Sequence, residues 1–308
     1  EYAGPGTGVV DFEITASLGN SFTNLIVFVW TEGTAAQNVT LDLGDNREGA
    51  SAVAIQSGGR IVVSGFTQVG ASHDFALARL NTDGSIDPTF DQDGKLTTDF
   101  GGSEGIGDIA IQADGKIIAV GNTERDSKIE FALSRYNADG SLDSTFDGDG
   151  KVTTSFPDIS EAANAVVVHP NYQDETCLVG YVDNGSNTDF ALATTSGRST
   201  VTAIGDSDDG ANAAARYPDG RIIAAGYSDN GLNRDFALVR YQSWLEIDTS
   251  FGDDGKVSTD FGGTNDEDTA VALQVDGKIV VAGPTNDGMA LALARYNQNG
   301  SLDPAFGS

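Results

Sequence analysis

The chain has 308 residues, a formal net charge of −29 and 39% apolar residues. So acidic a chain excludes nucleic acid as a partner, because a phosphate backbone needs a basic face, and it argues against anionic membrane surfaces. The single cysteine, Cys177, cannot form a disulfide within the chain.

The first 38 residues do not share the pattern of the rest and contain two predicted strands, residues 9–16 and 24–31. The second is strongly apolar but too short to cross a bilayer, which takes about 20 residues. Because an apolar strand has to be buried, we expect it to pack on the remaining fold, as a capping hairpin or a degenerate extra repeat, or to dock on another molecule. The residues expected at such an interface are Leu25, Ile26, Val27, Phe28, Val29 and Trp30.

From residue 39 onwards the chain repeats itself. The phrase Phe-Ala-Leu-Ala-Arg and its variants begin at Phe75, Phe131, Phe190, Phe236 and Leu291, in steps of 56, 59, 46 and 55 residues. A period of this size indicates an array or a propeller.

Each repeat contains four predicted strands, and no apolar period of 3.6 residues suggests a helix. An Asp-Gly turn, a strong hairpin signal, joins the first two strands in most repeats. The third strand is the recurring phrase. The first strands lie at residues 50–56, 106–112, 163–168, 211–216 and 269–274, and the fourth strands at residues 95–100, 151–156, 199–204 and 256–261.

The short step of 46 residues reveals the strand order. In the third repeat, Ser196-Gly197-Arg198 joins the third strand directly to the fourth, which predicts a hairpin. In the other repeats an insertion rich in Asp and Gly separates these two strands. We call these insertions the acidic loops; they comprise residues 81–94, 137–150, 242–255 and 297–307.

The strand count predicts how the fold closes. Five third strands are followed by only four fourth strands, and a fifth match, residues 39–44, precedes the first full repeat. Pairing of this segment with residues 291–296 would remove the free edges of a ring. The sequence therefore predicts an all-β, five-bladed β-propeller of four-stranded blades over residues 39–308, closed by an N-terminal strand, with residues 1–38 as a β-hairpin extension.

The repeat resembles the delta-60 repeat of bacterial proteins. The resemblance is carried by runs such as Asn137-Ala138-Asp139-Gly140-Ser141-Leu142-Asp143-Ser144-Thr145-Phe146-Asp147-Gly148-Asp149-Gly150 and Asp276-Gly277-Lys278-Ile279-Val280-Val281-Ala282-Gly283. It implies a large secreted or surface-attached propeller, usually of unassigned biochemical role, and it offers no catalytic residues. The third repeat departs from the pattern because it lacks the acidic loop.

Alternating aspartates closed by glycine in the acidic loops are typical of the start of a calcium loop. The distal glutamate of a complete loop is missing, so a solvated turn is the alternative. The acidic runs 206–209 and 266–268 are expected to be solvated loops. The predicted ligands are Asp87, Asp91, Asp93, Asp143, Asp147, Asp149, Asp248, Asp253 and Asp254.

A recurring arginine lies on the apolar side of the third strand, by the period-two alternation of a strand. It needs a carboxylate partner there, and an acidic-loop aspartate is the expected one. In the repeat without an acidic loop, Thr194 replaces it, so we expect arginine and loop to be coupled. The four arginines are Arg79, Arg135, Arg240 and Arg295.

These observations predict a non-enzymatic structural protein that assembles into a multimer or filament through residues 25–30. The alternatives are a propeller that binds a glycan or a protein and, third, a polysaccharide-active enzyme. The only methionine, Met289, is not at the start, which predicts a removed signal peptide and a secreted or cell-surface protein. Glycosylation sequons occur at Asn38, Asn184 and Asn299.

Overall fold

The computed structural model describes residues 12–14, 25–29, 37–41, 47–154, 160–169, 175–262, 264–267, 270–285 and 288–307, with the backbone alone for 12–14, 25–29, 37, 38 and 40. The described residues form 22 β-strands in six antiparallel sheets and no helix. Accordingly, this part of the chain has no helix that is long and apolar enough to cross a membrane.

Strands that are adjacent in sequence pair within every sheet. The first sheet contains β1 (Phe12–Ile14), β2 (Leu25–Val29) and β3 (Gln37–Leu41). The second contains β4 (Glu48–Ile55), β5 (Ile61–Val69), β6 (Ser72–Leu80) and β7 (Lys95–Thr98). The third contains β8 (Ser103–Ile111), β9 (Ile117–Arg125), β10 (Lys128–Tyr136) and β11 (Lys151–Thr154).

The remaining sheets follow the same order. The fourth contains β12 (Ser160–Val168), β13 (Thr176–Asp183), β14 (Thr188–Thr194) and β15 (Ser199–Thr202). The fifth contains β16 (Asp209–Arg216), β17 (Ile222–Asp229), β18 (Arg234–Tyr241) and β19 (Lys256–Thr259). The sixth contains β20 (Ala270–Leu273), β21 (Ile279–Thr285) and β22 (Ala290–Tyr296).

The repeated four-stranded sheets are β-propeller blades, which confirms the predicted fold class, and β1 and β2 form the predicted N-terminal hairpin. The turns are those expected from the sequence. At Asp114-Gly115, for example, Gly115 has φ of 88°, and its N–H donates to the Gln112 carbonyl over 2.9 Å. A left-handed conformation of this kind is open to glycine without steric cost.

Two compact units divide the chain, namely residues 1–127 with 132–152, and residues 128–131 with 153–308. In the first unit, Phe75 and Leu77 of the second sheet pack on Ile106, Ile109 and Ile117 of the third. In the second unit, corresponding cores join the fourth sheet to the fifth and the fifth to the sixth. Every such core lies between one sheet and the next along the chain.

The predicted closure by residues 39–44 is wrong for the part of this segment that the structure describes. Strand β3 pairs with β2, with Leu25 opposite Leu41, and this register repeats that of Phe75 opposite Thr98 in β6 and β7. A partner close in sequence needs a shorter loop to be closed, which costs less entropy. Within the described residues the first sheet is thus a shortened blade, and the sixth keeps three strands.

One glycine of each four-stranded blade faces a bulge in the neighbouring strand. A Cβ atom on Gly121 would lie 1.9 Å from the Gly105 carbonyl oxygen, whereas a Cβ on Gly105 would meet only Asn122 Oδ1, at 4.0 Å. We expect Gly121→Ala to lower the free energy of unfolding by at least about 1–3 kcal/mol, because the added methyl group overpacks the sheet. Gly105→Ala is the control and is expected to change it by less than about 1 kcal/mol. Equal denaturant midpoints for the two variants would contradict this account.

Candidate functional site

Each acidic loop is anchored by an arginine at the end of the third strand. Arg79, Arg135 and Arg240 are buried, and Arg295 is 21% exposed. Arg79 Nε donates to Asp87 Oδ2 over 2.9 Å, and both side chains are 3% exposed. The guanidinium also donates to Gln56 and Thr89, over 3.1 Å each, and to the carbonyl oxygen of Ala138. Because Ala138 belongs to the next acidic loop, one arginine ties its own loop to the following repeat.

The same arrangement recurs in the other repeats with an acidic loop. Each arginine lies over the ring of a loop phenylalanine, with 4.5–4.7 Å between the guanidinium carbon and the ring centroid. We call each set an Arg–Asp–Phe cluster; the four are Arg79–Asp87–Phe90, Arg135–Asp143–Phe146, Arg240–Asp248–Phe251 and Arg295–Asp303–Phe306. This confirms the predicted pairing of the recurring arginine with an acidic-loop aspartate.

A second basic residue, at the start of each second strand, approaches the same carboxylate. Lys116 Nζ lies 2.9 Å from Asp143 Oδ2, and Arg60 Nε lies 3.2 Å from Asp87 Oδ2. Burial alone would raise the pKa of Asp87, but hydrogen bonds from Thr89 and the charges of Arg79 and Arg60 hold it below its ordinary value. The aspartates are therefore kept ionised by charges built into the repeat.

The third repeat has no acidic loop, and Thr194 and Arg198 take the place of the Arg–Asp–Phe cluster there. Thr194, which replaces the arginine, accepts a hydrogen bond from the Arg198 main-chain N–H over 3.2 Å and closes the short hairpin. Arg198 then lies over the ring of Trp244 in the following loop, 4.4 Å from its centroid. The expected coupling of arginine and acidic loop is thus present in the geometry.

The nine predicted metal ligands fall into two groups. Asp87, Asp143 and Asp248 are the buried aspartates of Arg–Asp–Phe clusters. The other six are exposed at the loop tips: Asp91, Asp93, Asp147, Asp149, Asp253 and Asp254. The Oδ1 atoms of Asp93 and Asp149 accept main-chain N–H groups two residues on, as in Asx turns. The geometry gives these residues turn and ion-pair roles, and their role as metal ligands stays a prediction.

Acidic groups that could hold a metal ion lie instead at the other end of the third strand. The carboxylates of Asp74, Asp99 and Glu104 each offer an oxygen within 4.8 Å of the others, and Asp235, Asp260 and Asp266 do the same. We call these sets the acidic triads. In both, the outer two members are buried and the middle one is exposed.

Burial and mutual repulsion shape these triads. Burial raises the pKa of Asp74 most, and the neighbouring charges of Asp99 and Glu104 raise it further. Burial likewise raises the pKa of Asp235, with Asp260 and Asp266 adding to it. The carboxylates therefore lie close together in an unfavourable electrostatic environment.

The prediction that residues 206–209 and 266–268 form solvated loops is wrong for Asp209 and Asp266, which are fully buried, and Asp268 lies outside the described residues. Asp209 Oδ2 accepts the N–H groups of Ile204 and Gly205, and Asp266 Oδ2 accepts that of Phe261. A buried acid recurs at or near the start of every first strand, and this spacing is the signal that could have revealed it: Glu48, Glu104, Glu161, Asp209 and Asp266.

The sixth sheet has an open apolar face. Leu291 and Leu293 are 71% and 49% exposed, whereas their counterparts Phe75 and Leu77 are fully buried against the next sheet. Ala292 and Ala294 point the other way and pack on the fifth sheet. The predicted interface strand, residues 25–29, is the central strand of the first sheet, and Trp30 lies outside the described residues.

The second unit also contains a polar cleft of about 360 Å³. Its lining is formed by loops of the fourth and fifth sheets and comprises Ser186, Asn187, Asp206, Ser207, Asp208, Asp229, Gly231 and Leu232. Cys177 is buried elsewhere in the same unit, and burial raises its thiol pKa to about 12. It is therefore an inert core residue.

Four segments match the sequence profile of a β-propeller domain of unknown function, DUF5122: residues 56–90, 112–146, 218–251 and 274–306. The chain carries β-propeller repeats. Each matched segment ends at the phenylalanine of an Arg–Asp–Phe cluster, and the repeat without an acidic loop is not matched. A comparison with curated proteins found no match.

Solved structures agree on the fold. A protein of unknown function from Bacteroides caccae is 10% identical, with a TM-score of 0.54 over 94% of this chain and 90% of its own. Sqt1 from Chaetomium thermophilum is 14% identical, with a TM-score of 0.53 over 94% of this chain and 67% of its own. At such identities the likeness shows the fold alone.

The prediction that this protein is not an enzyme is wrong as an inference from its repeats. Similar structures include a virginiamycin B lyase from Staphylococcus aureus (13% identity, TM-score 0.48, 96% of this chain and 88% of that one). They also include a gluconolactonase from Xanthomonas campestris (13% identity, TM-score 0.45, 84% and 79%). Catalytic function depends on particular residues of a site and not on the fold that carries them, so a repeated architecture is no argument against catalysis.

The Arg–Asp–Phe clusters can be tested at Arg135. We expect Arg135→Ala to lower the free energy of unfolding by about 3 kcal/mol. This is the lower end of the range for a broken buried ion pair, because Lys116 still faces Asp143 in the variant. Proteolysis within residues 137–150 should become faster. Lys128→Ala, which breaks the partly exposed pair with Glu130 at 3.2 Å, is the control and should lower the free energy of unfolding by less than about 1 kcal/mol. Unchanged stability and protease sensitivity of the Arg135 variant would contradict the assigned role.

Proposed function

We propose that this protein is an exported, self-assembling β-propeller of the delta-60 repeat type. In this proposal, copies join head to tail, and the open face of the sixth sheet in one copy packs against the first sheet of another. The observation that carries the proposal is the exposure of Leu291 and Leu293 on that face.

The proposal is supported by what covers the equivalent faces elsewhere. Phe190 and Leu192 of the fourth sheet are buried against the fifth, and Phe236 and Leu238 of the fifth against the sixth. In each case the cover is the next sheet along the chain. On the sixth sheet, Leu291 and Leu293 have no such cover in the described part of the chain and stay exposed.

A first sheet from a second copy has the chemistry to supply that cover. It precedes all other sheets, and Leu41 and Val39 on one of its faces pack on the second sheet. The central strand of this sheet has the entirely apolar sequence Leu-Ile-Val-Phe-Val at residues 25–29, which suits an apolar interface.

Such a contact joins two different surfaces of the chain. Head-to-tail contacts of this type form rings if the rotation closes and filaments if it does not. Burying a leucine side chain contributes about 1.5–3 kcal/mol, so two exposed leucines form a useful centre for the interface.

The test compares Leu291→Asp/Leu293→Asp with wild type by multi-angle light scattering and negative-stain electron microscopy over a range of concentrations. We expect wild type to form multimers or filaments and the double variant to be monomeric, because aspartate cannot be buried against an apolar sheet without a partner. Leu232→Asp is the matched control, since Leu232 is 94% exposed in a loop away from the face. If the wild-type protein is monomeric at every concentration, the proposal is wrong.

A second candidate function is ligand binding in the polar cleft. Its amide, hydroxyl and carboxylate groups suit the hydroxyl groups of a glycan. We expect glycan binding, measured on a glycan array, to be lost in Asn187→Ala/Asp208→Ala and kept in Leu291→Asp/Leu293→Asp. Binding that is absent in wild type, or unchanged in the cleft variant, would rule this function out.

We also propose Ca²⁺ as the ion for the acidic groups of this chain. Carboxylate and carbonyl oxygens are its preferred ligands, and it tolerates irregular geometry better than Mg²⁺ does.

A further inference from the structure

The acidic triads have the geometry of a cation site rather than of a solvated loop. Ca²⁺ holds its oxygen ligands at about 2.3–2.6 Å, so two ligands of one ion lie at most ~5 Å apart. The oxygens of Asp74, Asp99 and Glu104 lie within 4.8 Å of one another and meet this limit. They come from β6, from the residue after β7 and from β8, which brings three chain segments to one point.

Glu104 provides an independent indication of a missing partner. Its side chain is buried, 3% exposed, and Oε1 accepts hydrogen bonds from Gly102 N–H and Thr123 Oγ1, both over 2.8 Å. Oε2 is also buried but has no hydrogen-bond partner in the described part of the chain. An unpaired carboxylate oxygen in the interior is costly, and a cation is the partner that three converging carboxylates favour.

Basic side chains do not fill this role. Lys151, the lysine that reaches Asp99, donates to the main-chain oxygen over 3.1 Å. None of the ion pairs formed by lysine or arginine in the described residues involves Asp74, Asp99 or Glu104. The charge of His73 acts on Asp74 and lowers its pKa, but burial, Asp99 and Glu104 outweigh it. No lysine or arginine ion pair offsets the charge of this triad in the described residues, in contrast to the Arg–Asp–Phe clusters.

The third repeat offers a natural comparison. Lys256 Nζ donates to the Ala203 carbonyl oxygen over 2.7 Å, as Lys151 does to that of Asp99, so Ala203 occupies the position of the exposed triad member. The two buried acids, Asp189 and Asp209, are present. A single substitution, Ala203→Asp, would therefore complete a third triad.

We propose that each acidic triad binds one Ca²⁺ ion, which fastens the loop between a fourth strand and the next first strand. Asp74, Asp99 and Glu104 hold one ion, and Asp235, Asp260 and Asp266 hold the other. The exposed member leaves room for water molecules to complete the coordination. This assignment concerns ion binding by a single chain and does not depend on assembly.

The test titrates chelator-treated, full-length protein with CaCl₂, by calorimetry and by thermal unfolding. We expect two ions per wild-type chain, one for each triad, and a rise in Tm with Ca²⁺ concentration, since a ligand that binds only the folded state stabilises it. Asp99→Asn/Asp260→Asn should lose both ions and the Ca²⁺-dependent rise. It should fold without Ca²⁺ at least as stably as wild type, because each substitution removes a repelling charge. Ala203→Asp should gain a third ion.

Asp93→Asn/Asp149→Asn is the matched control, since it removes the same number of charges from exposed acidic-loop tips while keeping the Asx-turn acceptors. It should bind Ca²⁺ as wild type does. The proposal is overturned if wild type binds no Ca²⁺. It is also overturned if Asp99→Asn/Asp260→Asn binds normally while the loop-tip variant does not, because the ions would then lie in the acidic loops.

Discussion

The arginine–aspartate pair of each acidic loop, buried in three of the four loops, is the interaction on which the repeat depends. Removing two charges from water is costly, and the pair is tolerable only when the remaining hydrogen-bonding groups are also satisfied. Arg79 largely meets this condition because Gln56, Thr89 and the Ala138 carbonyl accept hydrogen bonds from its two Nη atoms. One acceptor belongs to the next repeat, so satisfying a local charge also joins neighbouring repeats. Arg240 repeats this connection through the Gln298 carbonyl.

This dependence explains why the third repeat lacks both the recurring arginine and the acidic loop. An arginine kept without the loop would be a buried charge without its carboxylate, and a loop kept without the arginine would bury an unpaired aspartate. Thr194 avoids both costs because its hydroxyl is satisfied within the short hairpin. The link to the following repeat survives in another form, as Arg198 over Trp244. What persists across repeats is the connection between neighbours, not a particular residue.

Much of the fold follows from short-range rules and could be predicted. Alternation, Asp-Gly turns and a single shortened repeat give the strands and their order, and the side of the strand on which Arg79 lies gives its carboxylate partner. The strand with which residues 39–41 pair could not be predicted from such short-range rules. Their sequence fits a fourth strand, but the choice between β2 and a distant edge depends on loop entropy and competition, which a pattern does not contain. The acidic triads were missed because their members are up to 31 residues apart, as in Asp235 and Asp266, and each alone resembles a loop residue.

Acidic residues lie at both ends of the third strand, but they are paired with basic residues at only one of the two ends. At one end, Asp87 and its counterparts are neutralised by arginine and lysine from the same repeat. At the other end, Asp74 faces Asp99 and Glu104, and their charges raise its pKa. A chain with a net charge of −29 also repels its own copies, and salt screens that repulsion over about 10 Å at 0.1 M. Cations bound at the triads would reduce the charge of each copy before contact. Ion binding and apolar docking would therefore reinforce each other although they use different residues.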